Sequence, residues 1–373
     1  MPTLWFFKAF ISKTLWQNPK YFLNVLYDGP FSANPKGGVV RYFHQISERI
    51  SLGNDVFFSR RTFGRFPREI HLPSFPHFRP HRISFCLEYL WHRLCSNYKI
   101  DIVHPTEFQL SPTGSFYSKK GAKLVITIHD LIHEKFGAPG NLYSKARRTN
   151  FYNQADGYIF VSKSTRNDFA ESYPELFESR SSMVIWHGCN FHVNKQKSEK
   201  RRKQFLFVGS REGYKNFATA AQAFCKVADA NKDCTLVVAG APPKSSELTI
   251  VKNYENQISW IEFPDEEKLR ILYAQSVVLL YVSKYEGFGM PLLEAMSQGC
   301  IPIAGNHSSI PEVLGEAGIK VNCESVSELS EAMEKCLVDD SETKNLVKRG
   351  YDRASFFTWR KSAEFHTVFY TNL

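Results

Sequence analysis

The chain alternates short apolar runs with longer segments in which apolar and polar residues mix at helical spacing. The apolar runs are rich in Val and Ile, which is typical of buried parallel strands, and helix-length segments separate them. The pattern therefore predicts parallel sheets that are covered by helices on both faces. The predicted strands are residues 22–28, 101–105, 123–130, 157–162 and 182–188 in the first half, and 204–209, 235–240, 258–263, 277–283, 301–305 and 318–322 in the second.

The length of 373 residues favours two hydrophobic cores, so we predict two doubly wound, Rossmann-like α/β domains. Residues 191–204, FHVNKQKSEKRRKQ, are highly charged and lack periodicity, which suits an exposed connection with a boundary near residue 193. The last residues place apolar side chains at helical spacing after Thr358, a plausible N-cap. The predicted domains are residues 1–192 and 193–355, followed by a C-terminal helix in residues 356–373.

Composition is that of a globular protein, with 43% hydrophobic and 23% charged residues. The eight cysteines form no C-x-x-C pair and show no zinc-ligand spacing, so we expect a reducing compartment, the cytoplasm. The sequence has no uncharged apolar run of the length that a membrane span needs, and its start lacks the features of a secretory signal. We therefore expect a protein that is not integral to a membrane.

The net charge of +10 lies entirely in the first half, since residues 1–190 carry 24 Lys and Arg against 14 Asp and Glu. Basic residues interleaved with aromatic ones can bind nucleic acid, an anionic membrane surface or an acidic ligand, and they can also form a solvated face. We predict membrane docking through this stretch, with residues 4–16 in the interface. The interleaved residues are Arg60, Arg61, Arg65, Arg68, Arg79 and Arg82 with Phe58, Phe63, Phe66, Phe75 and Phe78.

The stretch SKYEGFGMPLLEAMSQG, residues 283–299, places Glu286 and Glu294 around a glycine-containing loop just after a predicted strand. Pro291 suits the first turn of a helix, and Gly287 and Gly289 allow close backbone approach to a ligand. Open α/β sheets bind ligands at the carboxyl ends of their strands, and free N–H groups at a helix start attract phosphate. We predict a phosphate-binding crevice with two carboxylates, the alternative being a capping and a surface glutamate.

This stretch resembles the E-x7-E signature of glycosyltransferase family 4, whose retaining enzymes have the GT-B fold. The resemblance spans nearly the whole chain and implies that the last helix crosses back to the first domain. The other segments that carry it are GGVVRY (37–42), TIHDL (127–131), FVSKSTRNDF (160–169), FVGSREGYKNF (207–217), SSIPEVLGEAG (308–318) and FTWRKSAEFHTVFY (357–370).

The resemblance implies that Glu286 binds hydroxyls of the donor sugar and that Glu294 binds the ribose. It implies that Lys215 neutralises the donor diphosphate and that His129 lies beside the transferred sugar. The family usually has Arg where this chain has Ser210, so Arg211 is the candidate for a second phosphate contact. The remaining positions that match the donor site are Gly38, Gly287, Phe288, Gly289, Met290 and Pro291.

The implied activity is retaining transfer of a hexose, with mannose among the candidates, from a nucleotide-sugar donor to a glycan or lipid-linked acceptor. The expected setting is polysaccharide, lipopolysaccharide or glycolipid assembly at the inner face of the cytoplasmic membrane. We expect no cofactor and no metal, because no D-x-D motif occurs and helix-start amides with cations can stabilise the leaving diphosphate. His129 and His133 lack a third ligand nearby in sequence.

Two alternatives remain open at this point. The first is a GT-B epimerase or phosphorylase that acts on related ligands, and the second is a basic nucleic-acid-binding protein, which the charge alone supports. Departures from the family pattern at Glu262 and His187 leave the nucleobase unassigned. Ser309 and Glu312 predict a capping box with a structural role.

Overall fold

The computed structural model describes residues 23–29, 38–50, 56–58, 69–72, 81–137, 144–193, 202–211, 213–338 and 340–373. The strands are β1 (Val25–Asp28), β2 (Val56–Phe58), β3 (Glu69–His71), β4 (Ile102–Pro105), β5 (Lys123–Ile128), β6 (Gly157–Phe160), β7 (Ser181–Val184), β8 (Arg202–Val208), β9 (Thr235–Gly240), β10 (Ile258–Glu262), β11 (Ser276–Tyr281), β12 (Ile301–Gly305) and β13 (Ile319–Val321).

The described helices connect these strands along the chain. They are α1 (Gly38–Ser47), α2 (His81–Cys95), α3 (Pro112–Lys119), α4 (Ile132–Phe136), α5 (Lys145–Tyr152), α6 (Lys163–Ser172), α7 (Pro174–Glu178), α8 (Phe217–Ala230), α9 (Ser245–Ile250), α10 (Glu266–Gln275), α11 (Met290–Ser297), α12 (Ile310–Leu314), α13 (Val326–Cys336), α14 (Ser341–Phe356) and α15 (Trp359–Thr371). Short 3-10 helices span Gly213–Lys215 and Lys252–Gln257.

The strands form two sheets, each doubly wound. The first has the order β3-β2-β1-β4-β5-β6-β7 and the second the order β10-β9-β8-β11-β12-β13. Neighbouring strands pair in parallel, as β1 does with β4 and β8 with β11. In both sheets the order runs outward from the first strand and then reverses, which creates a switch point where such folds bind ligands. The predicted α/β class with two parallel sheets is confirmed.

The second sheet is covered by apolar clusters on both faces, as its sequence predicts. Phe205 and Phe207 of β8 lie in one cluster and the intervening Leu206 lies in the other, because successive strand residues point to opposite faces. Phe224 of α8 packs into the first cluster and Leu292 of α11 into the second. The signature helix α11 is therefore held against the sheet by a dry core.

The chain divides into two compact units. Unit 1 comprises Met1–Thr127, Ala146–Tyr158 and Ala363–Leu373, and unit 2 comprises Ile128–Lys145 and Ile159–Ser362. Most of helix α15 thus belongs to unit 1, although it follows unit 2 in sequence. The predicted domain ranges 1–192, 193–355 and 356–373 stay a prediction.

Helix α15 joins unit 1 through buried hydrogen bonds. The Tyr370 hydroxyl lies 2.5 Å from His104 Nδ1, and His366 Nε2 lies 2.6 Å from the Tyr42 hydroxyl. Thr127 Oγ1 links the two pairs, at 2.8 Å from His104 Nε2 and 3.0 Å from Tyr42. The predicted N-cap of this helix is confirmed, since the Thr358 hydroxyl accepts from Lys361 N at 3.2 Å. Polar side chains of the last helix are therefore matched to polar side chains of helix α1 and of the first sheet.

The sequence analysis missed strands β2 and β3, which have three residues each. Both come from the arginine- and phenylalanine-rich region that we interpreted as one basic surface. Phe58 is fully buried, and its ring centroid lies 5.9 Å from that of Tyr27. Residues 59–68 and 73–80, which carry most of those arginines, lie outside the described residues, as do residues 1–22 and the predicted connection at 194–201.

Candidate active site

The signature loop connects strand β11 to helix α11 at the carboxyl end of the second sheet. Gly289 precedes the helix with φ +108°, a left-handed conformation that favours glycine. No side chain caps the start of this helix, and Pro291 lies in its first turn as predicted. Backbone N–H groups at the start of α11 therefore have no capping side chain and suit an anionic ligand.

Position 287 requires glycine because the backbone of His129 passes close to it. A Cβ atom at this position would lie 1.8 Å from the carbonyl oxygen of His129, so only glycine fits. The carbonyl oxygen of Gly287 accepts a hydrogen bond from Thr165 Oγ1 at 3.1 Å. The predicted sugar-side residues His129 and Gly287 thus lie side by side within unit 2.

Two serines hold the loop around Glu286. The Glu286 N–H donates to Ser308 Oγ at 2.9 Å, and Ser309 Oγ lies 2.9 Å from both the Glu286 and the Phe288 carbonyl oxygens. Ser308 adopts φ +49°, which is unusual for a residue with a side chain. These bonds fix the path of the loop that carries the first signature carboxylate.

The predicted capping box at Ser309 and Glu312 is wrong. Ser309 precedes helix α12 without capping it, because its hydroxyl is used by the signature loop. The Glu312 carboxylate instead accepts from Trp186 Nε1 at 2.6 Å and from Lys163 N at 2.9 Å. Ser309 and Glu312 therefore connect separate segments of unit 2, and they do not pair with each other at the start of α12.

The Glu286 carboxylate forms an ion pair with Lys215. Lys215 Nζ lies 2.7 Å from Glu286 Oε1, and the two side chains are 20% and 10% exposed. Burial raises the pKa of the nearby Tyr281 phenol well above its usual range, and the Glu286 charge raises it further. Tyr281 thus stays protonated at neutral pH beside the carboxylate, and the two groups predicted to bind sugar and diphosphate contact each other directly.

The Glu294 carboxylate is buried and accepts hydrogen bonds from neutral groups. Tyr273 Oη donates to Oε2 at 3.1 Å, and Asn190 Nδ2 donates to Oε1 at 3.2 Å. The Asn190 amide is itself oriented by Trp359 Nε1, which donates to Asn190 Oδ1 at 2.8 Å. The carboxylate of the second signature residue is therefore held in place by donors from two separate segments.

His129 belongs to a group of stacked rings. Its ring centroid lies 6.0 Å from that of His187, with an interplanar angle of 25°. His187 in turn meets Phe288 edge-on at 4.8 Å and Trp359 at 5.5 Å. Beside this group, burial raises the pKa of Asp130. The hydrogen bond that its carboxylate accepts from Ile132 N lowers this pKa by a smaller amount. The packed rings therefore connect His129, through His187, to Phe288 of the signature loop.

The Arg211 side chain is buried within unit 2. Its Nε lies 2.9 Å from Glu247 Oε1, and its side chain is 3% exposed. The guanidinium also donates to the Ala241 and Pro242 carbonyl oxygens at 2.9 and 2.7 Å and lies 5.3 Å from the Trp260 ring centroid. These contacts give Arg211 a structural role, and its predicted phosphate contact stays a prediction.

The remaining predicted residues fall at element starts. Gly38 is the first residue of α1 in unit 1, and Met290 is the first residue of α11 in unit 2. The sequence analysis did not find Ser308, Tyr273 or Asn190, although Ser308 begins a segment that carries the family resemblance. The other two lie far from the signature in sequence, and nothing in their local pattern indicates their contact with Glu294.

The described residues contain neither a metal-binding cluster nor a membrane-spanning helix. None of these residues forms a group of three or more His, Cys, Asp and Glu side chains arranged to hold a metal ion. Within the same ranges, every helix is too short or too polar to cross a lipid bilayer.

Comparison with known proteins places this site in a family. A model described as Glycosyltransferase Family 4 matches residues 36–191, and one described as Glycosyl transferases group 1 matches residues 190–353. This chain belongs to glycosyltransferase family 4. Together the two matches cover residues 36–353 and include every residue of the site except Trp359.

A curated relative and two solved structures were also similar to this chain, the structures in fold alone. The chain is 26% identical over 253 residues to O-antigen chain mannosyltransferase B of Escherichia coli, an alignment that covers 65% of this chain and 58% of that protein. The structure resembles that of Anabaena HepE in complex with UDP-glucose, with a TM-score of 0.72, 15% identity and coverage of 94% and 100%. It also resembles sucrose-phosphate synthase from Thermosynechococcus elongatus, with a TM-score of 0.71, 19% identity and coverage of 94% and 98%. The predicted GT-B fold is confirmed.

Proposed function

We propose that this family 4 protein transfers a hexose from a nucleotide-sugar donor to a glycan or lipid-linked acceptor, with retention of anomeric configuration and without a metal. The Lys215–Glu286 ion pair beside the uncapped start of α11 carries this proposal. The pair joins a cation suited to a diphosphate with a carboxylate suited to sugar hydroxyls. The relative named for O-antigen mannosyl transfer supports mannose as the sugar and a surface polysaccharide as the product.

In the proposed reaction, donor binding replaces the ion pair with two new contacts. Lys215 turns to the diphosphate and Glu286 accepts hydroxyls of the sugar, assisted by the Phe288 and Gly289 amides. Glu294, which Tyr273 and Asn190 hold in place, accepts the ribose hydroxyls. Lys215 thus gains an anionic partner and Glu286 gains hydroxyl donors, so neither charged group is left buried without a hydrogen-bond partner.

The chemical step breaks the bond between the anomeric carbon and a diphosphate oxygen. A hydroxyl oxygen of the acceptor forms its bond to that carbon on the same face, and the hydroxyl proton passes to the departing diphosphate. Lys215 and the N–H groups at the start of α11 stabilise the negative charge that builds on the diphosphate. His129 lies beside the sugar and positions it, and Glu286 stabilises the positive charge that develops on the ring.

The reaction belongs to the assembly of surface polysaccharide, lipopolysaccharide or glycolipid, and we place it in the cytoplasm at the inner face of the cytoplasmic membrane. The excess of +10 in residues 1–190 supports contact with an anionic surface, where a lipid-linked acceptor would be reached. No nucleic acid partner is proposed.

A panel of nucleotide sugars tests the proposal. We expect slow hydrolysis of one hexose donor without acceptor, at a rate that a chelator does not change. Release of free sugar with the configuration of the donor supports retention, and inversion would contradict it. Phosphorolysis or epimerisation of the donor instead would favour the related GT-B activities, and a gel shift with RNA or DNA in the absence of any donor effect would contradict the proposal.

A further inference from the structure

The Tyr285 hydroxyl joins three segments of unit 2. It donates to Asp168 Oδ2 at 2.9 Å and accepts from Leu131 N at 3.2 Å. Asp168 lies on helix α6, Leu131 directly precedes helix α4, and Tyr285 lies in the signature loop. Tyr285 is only 6% exposed, so water competes little for these hydrogen bonds.

These hydrogen bonds lie beside the two residues that the proposed reaction places on the sugar. Glu286 follows Tyr285 directly in sequence, and His129 precedes Leu131 by two residues. On the other side of Glu286, the backbone of Gly287 passes close to the carbonyl oxygen of His129. The segment that carries the histidine is therefore attached to the signature loop both before and after the first signature carboxylate.

Helix α6 supports the same part of the loop. Thr165 Oγ1 donates to the Gly287 carbonyl oxygen at 3.1 Å, and Asp168 accepts from Tyr285. Thr165 and Asp168 are three residues apart and so lie on one side of the helix. The start of α6 is capped by a side chain, which stabilises the turn that carries Thr165. One helix thus holds the residues on both sides of Glu286.

The direction of the hydrogen bonds at Tyr285 is fixed by charge. Burial raises the pKa of the Tyr285 phenol well above its usual range, and the negative charge of Asp168 raises it further. The phenol therefore keeps its proton at neutral pH and donates it to the carboxylate, so its oxygen is left to accept from the Leu131 N–H. Lys135 Nζ pairs with the other carboxylate oxygen at 2.9 Å. This arrangement favours a single geometry of the three segments.

We propose that Tyr285 and Asp168 are positioning residues of the transfer reaction, which hold His129 at a set place relative to Glu286. The inference rests on the proposed function, in which these last two residues act on the sugar from separate segments of the chain. Displacement of a reacting group by about 1 Å can slow a reaction on the order of a hundredfold. A hydroxyl that links the two segments therefore affects the rate without contacting the donor.

Hydrolysis of the donor by the full chain tests the proposal. Tyr285→Phe keeps the ring and removes the hydroxyl, and we expect the rate at saturating donor to fall on the order of tenfold. The affinity for nucleoside diphosphate should stay within about twofold in calorimetry, since Lys215 and Glu294 are assigned to its binding. The matched control is Tyr254→Phe, which removes another unit 2 hydroxyl that donates to a carboxylate, Asp229, at 2.9 Å. The control should change neither quantity.

Variants of Asp168 test whether it acts through Tyr285. Asp168→Asn keeps an oxygen that accepts from the phenol and should retain most of the rate, whereas Asp168→Ala should lose about as much as Tyr285→Phe. Because the two losses come from one hydrogen bond, the double variant Tyr285→Phe/Asp168→Ala should be no slower than the slower single variant.

Hydrogen exchange of backbone amides gives a readout that needs no turnover. In Tyr285→Phe, residues 128–131 and the signature loop should exchange faster together, because both lose a hydrogen bond that links them. Mass spectrometry of peptides from the two segments measures this, and Tyr254→Phe should leave both segments unchanged.

Unchanged hydrolysis by Tyr285→Phe would overturn the proposal, as would an equal loss of rate in Tyr254→Phe. Loss of diphosphate affinity in parallel with the rate would show a general effect on the fold, and additive losses in the double variant would show that Asp168 does not act through the phenol. Faster exchange in only one segment would show that the hydroxyl does not join them. A chain that hydrolyses no donor would contradict the proposed function instead, and the exchange measurement would still decide whether Tyr285 links the two segments.

Discussion

Glu286 and Glu294 belong to one signature, yet their carboxylates have opposite surroundings. Glu286 pairs with a cation, Lys215, at 2.7 Å, whereas Glu294 accepts hydrogen bonds from the neutral Tyr273 and Asn190. Lys215 can exchange Glu286 for another anion, such as the diphosphate of the donor. Tyr273 and Asn190 are neutral, so an arriving anion does not draw them away from Glu294. The difference suggests that Glu286 is the part of the site that changes partners when donor arrives, and that Glu294 is preset.

The largest effect is expected for Lys215→Met. This change removes the diphosphate cation and leaves Glu286 nearly buried without its partner, which costs about 3 to 5 kcal/mol. We expect kcat/KM to fall on the order of a thousandfold and nucleoside diphosphate binding to be lost in calorimetry. The control is Lys284→Met, which breaks the exposed pair with Glu324 and should change neither quantity. Near-normal diphosphate binding by Lys215→Met would remove Lys215 from the phosphate site.

The second effect is expected for Glu286→Gln. The amide cannot stabilise positive charge on the sugar, so kcat should fall on the order of a hundredfold at saturating donor. The amide also holds Lys215 less tightly than the carboxylate does, so the affinity for nucleoside diphosphate alone should stay equal or rise. Calorimetry with the diphosphate measures this directly, and loss of binding would show that Glu286 does not exchange its partner.

The third effect is expected for Glu294→Gln. If this carboxylate accepts the ribose hydroxyls, the change weakens diphosphate and intact donor alike, by about 1.5 to 3 kcal/mol for a lost charged hydrogen bond. Turnover at saturating donor should change little by comparison. The two signature variants thus separate binding from chemistry. The reverse pattern, with diphosphate binding intact in Glu294→Gln and abolished in Glu286→Gln, would exchange the assigned roles.

The smallest effect is expected for Tyr273→Phe. The ring stays in place, but the carboxylate loses one donor at Oε2, which costs about 0.5 to 1.5 kcal/mol. We expect a correspondingly small loss of diphosphate affinity, with kcat unchanged. A fall in kcat without a change in affinity would mean that Glu294 acts in the chemical step.

Much of this fold follows from the sequence because long Val- and Ile-rich runs mark buried strands. Every predicted strand is present, and the two that were missed, β2 and β3, have only three residues each and lie among arginines and prolines. The outward apolar side of α2, where Ile83, Leu87, Leu90 and Leu94 are between 44% and 80% exposed, was also missed. Apolar spacing shows that a helix is amphipathic, but only packing shows which side faces the core.

The site could be predicted only in part. The signature, its helix start and Pro291 follow from local chemistry. The partners Asn190 and Tyr273 reach Glu294 from distant segments, and no local pattern marks them. Arg211 was assigned to phosphate because it is a cation in the expected loop, and the sequence did not show that its side chain also contacts Glu247 and two backbone carbonyls. Whether a cationic side chain can bind phosphate depends on its partners in the folded protein, and the local sequence does not show them.

The buried bonds of helix α15 also bear on the order of events during synthesis. Tyr42 and His104 precede their partners His366 and Tyr370 by 324 and 266 residues. A ribosome adds residues in sequence order, so unit 1 gains these hydrogen bonds only after helix α15 has been made. A nascent chain that stops before residue 366 leaves a tyrosine and a histidine of unit 1 without these partners, and it therefore presents an incomplete unit to chaperones and proteases.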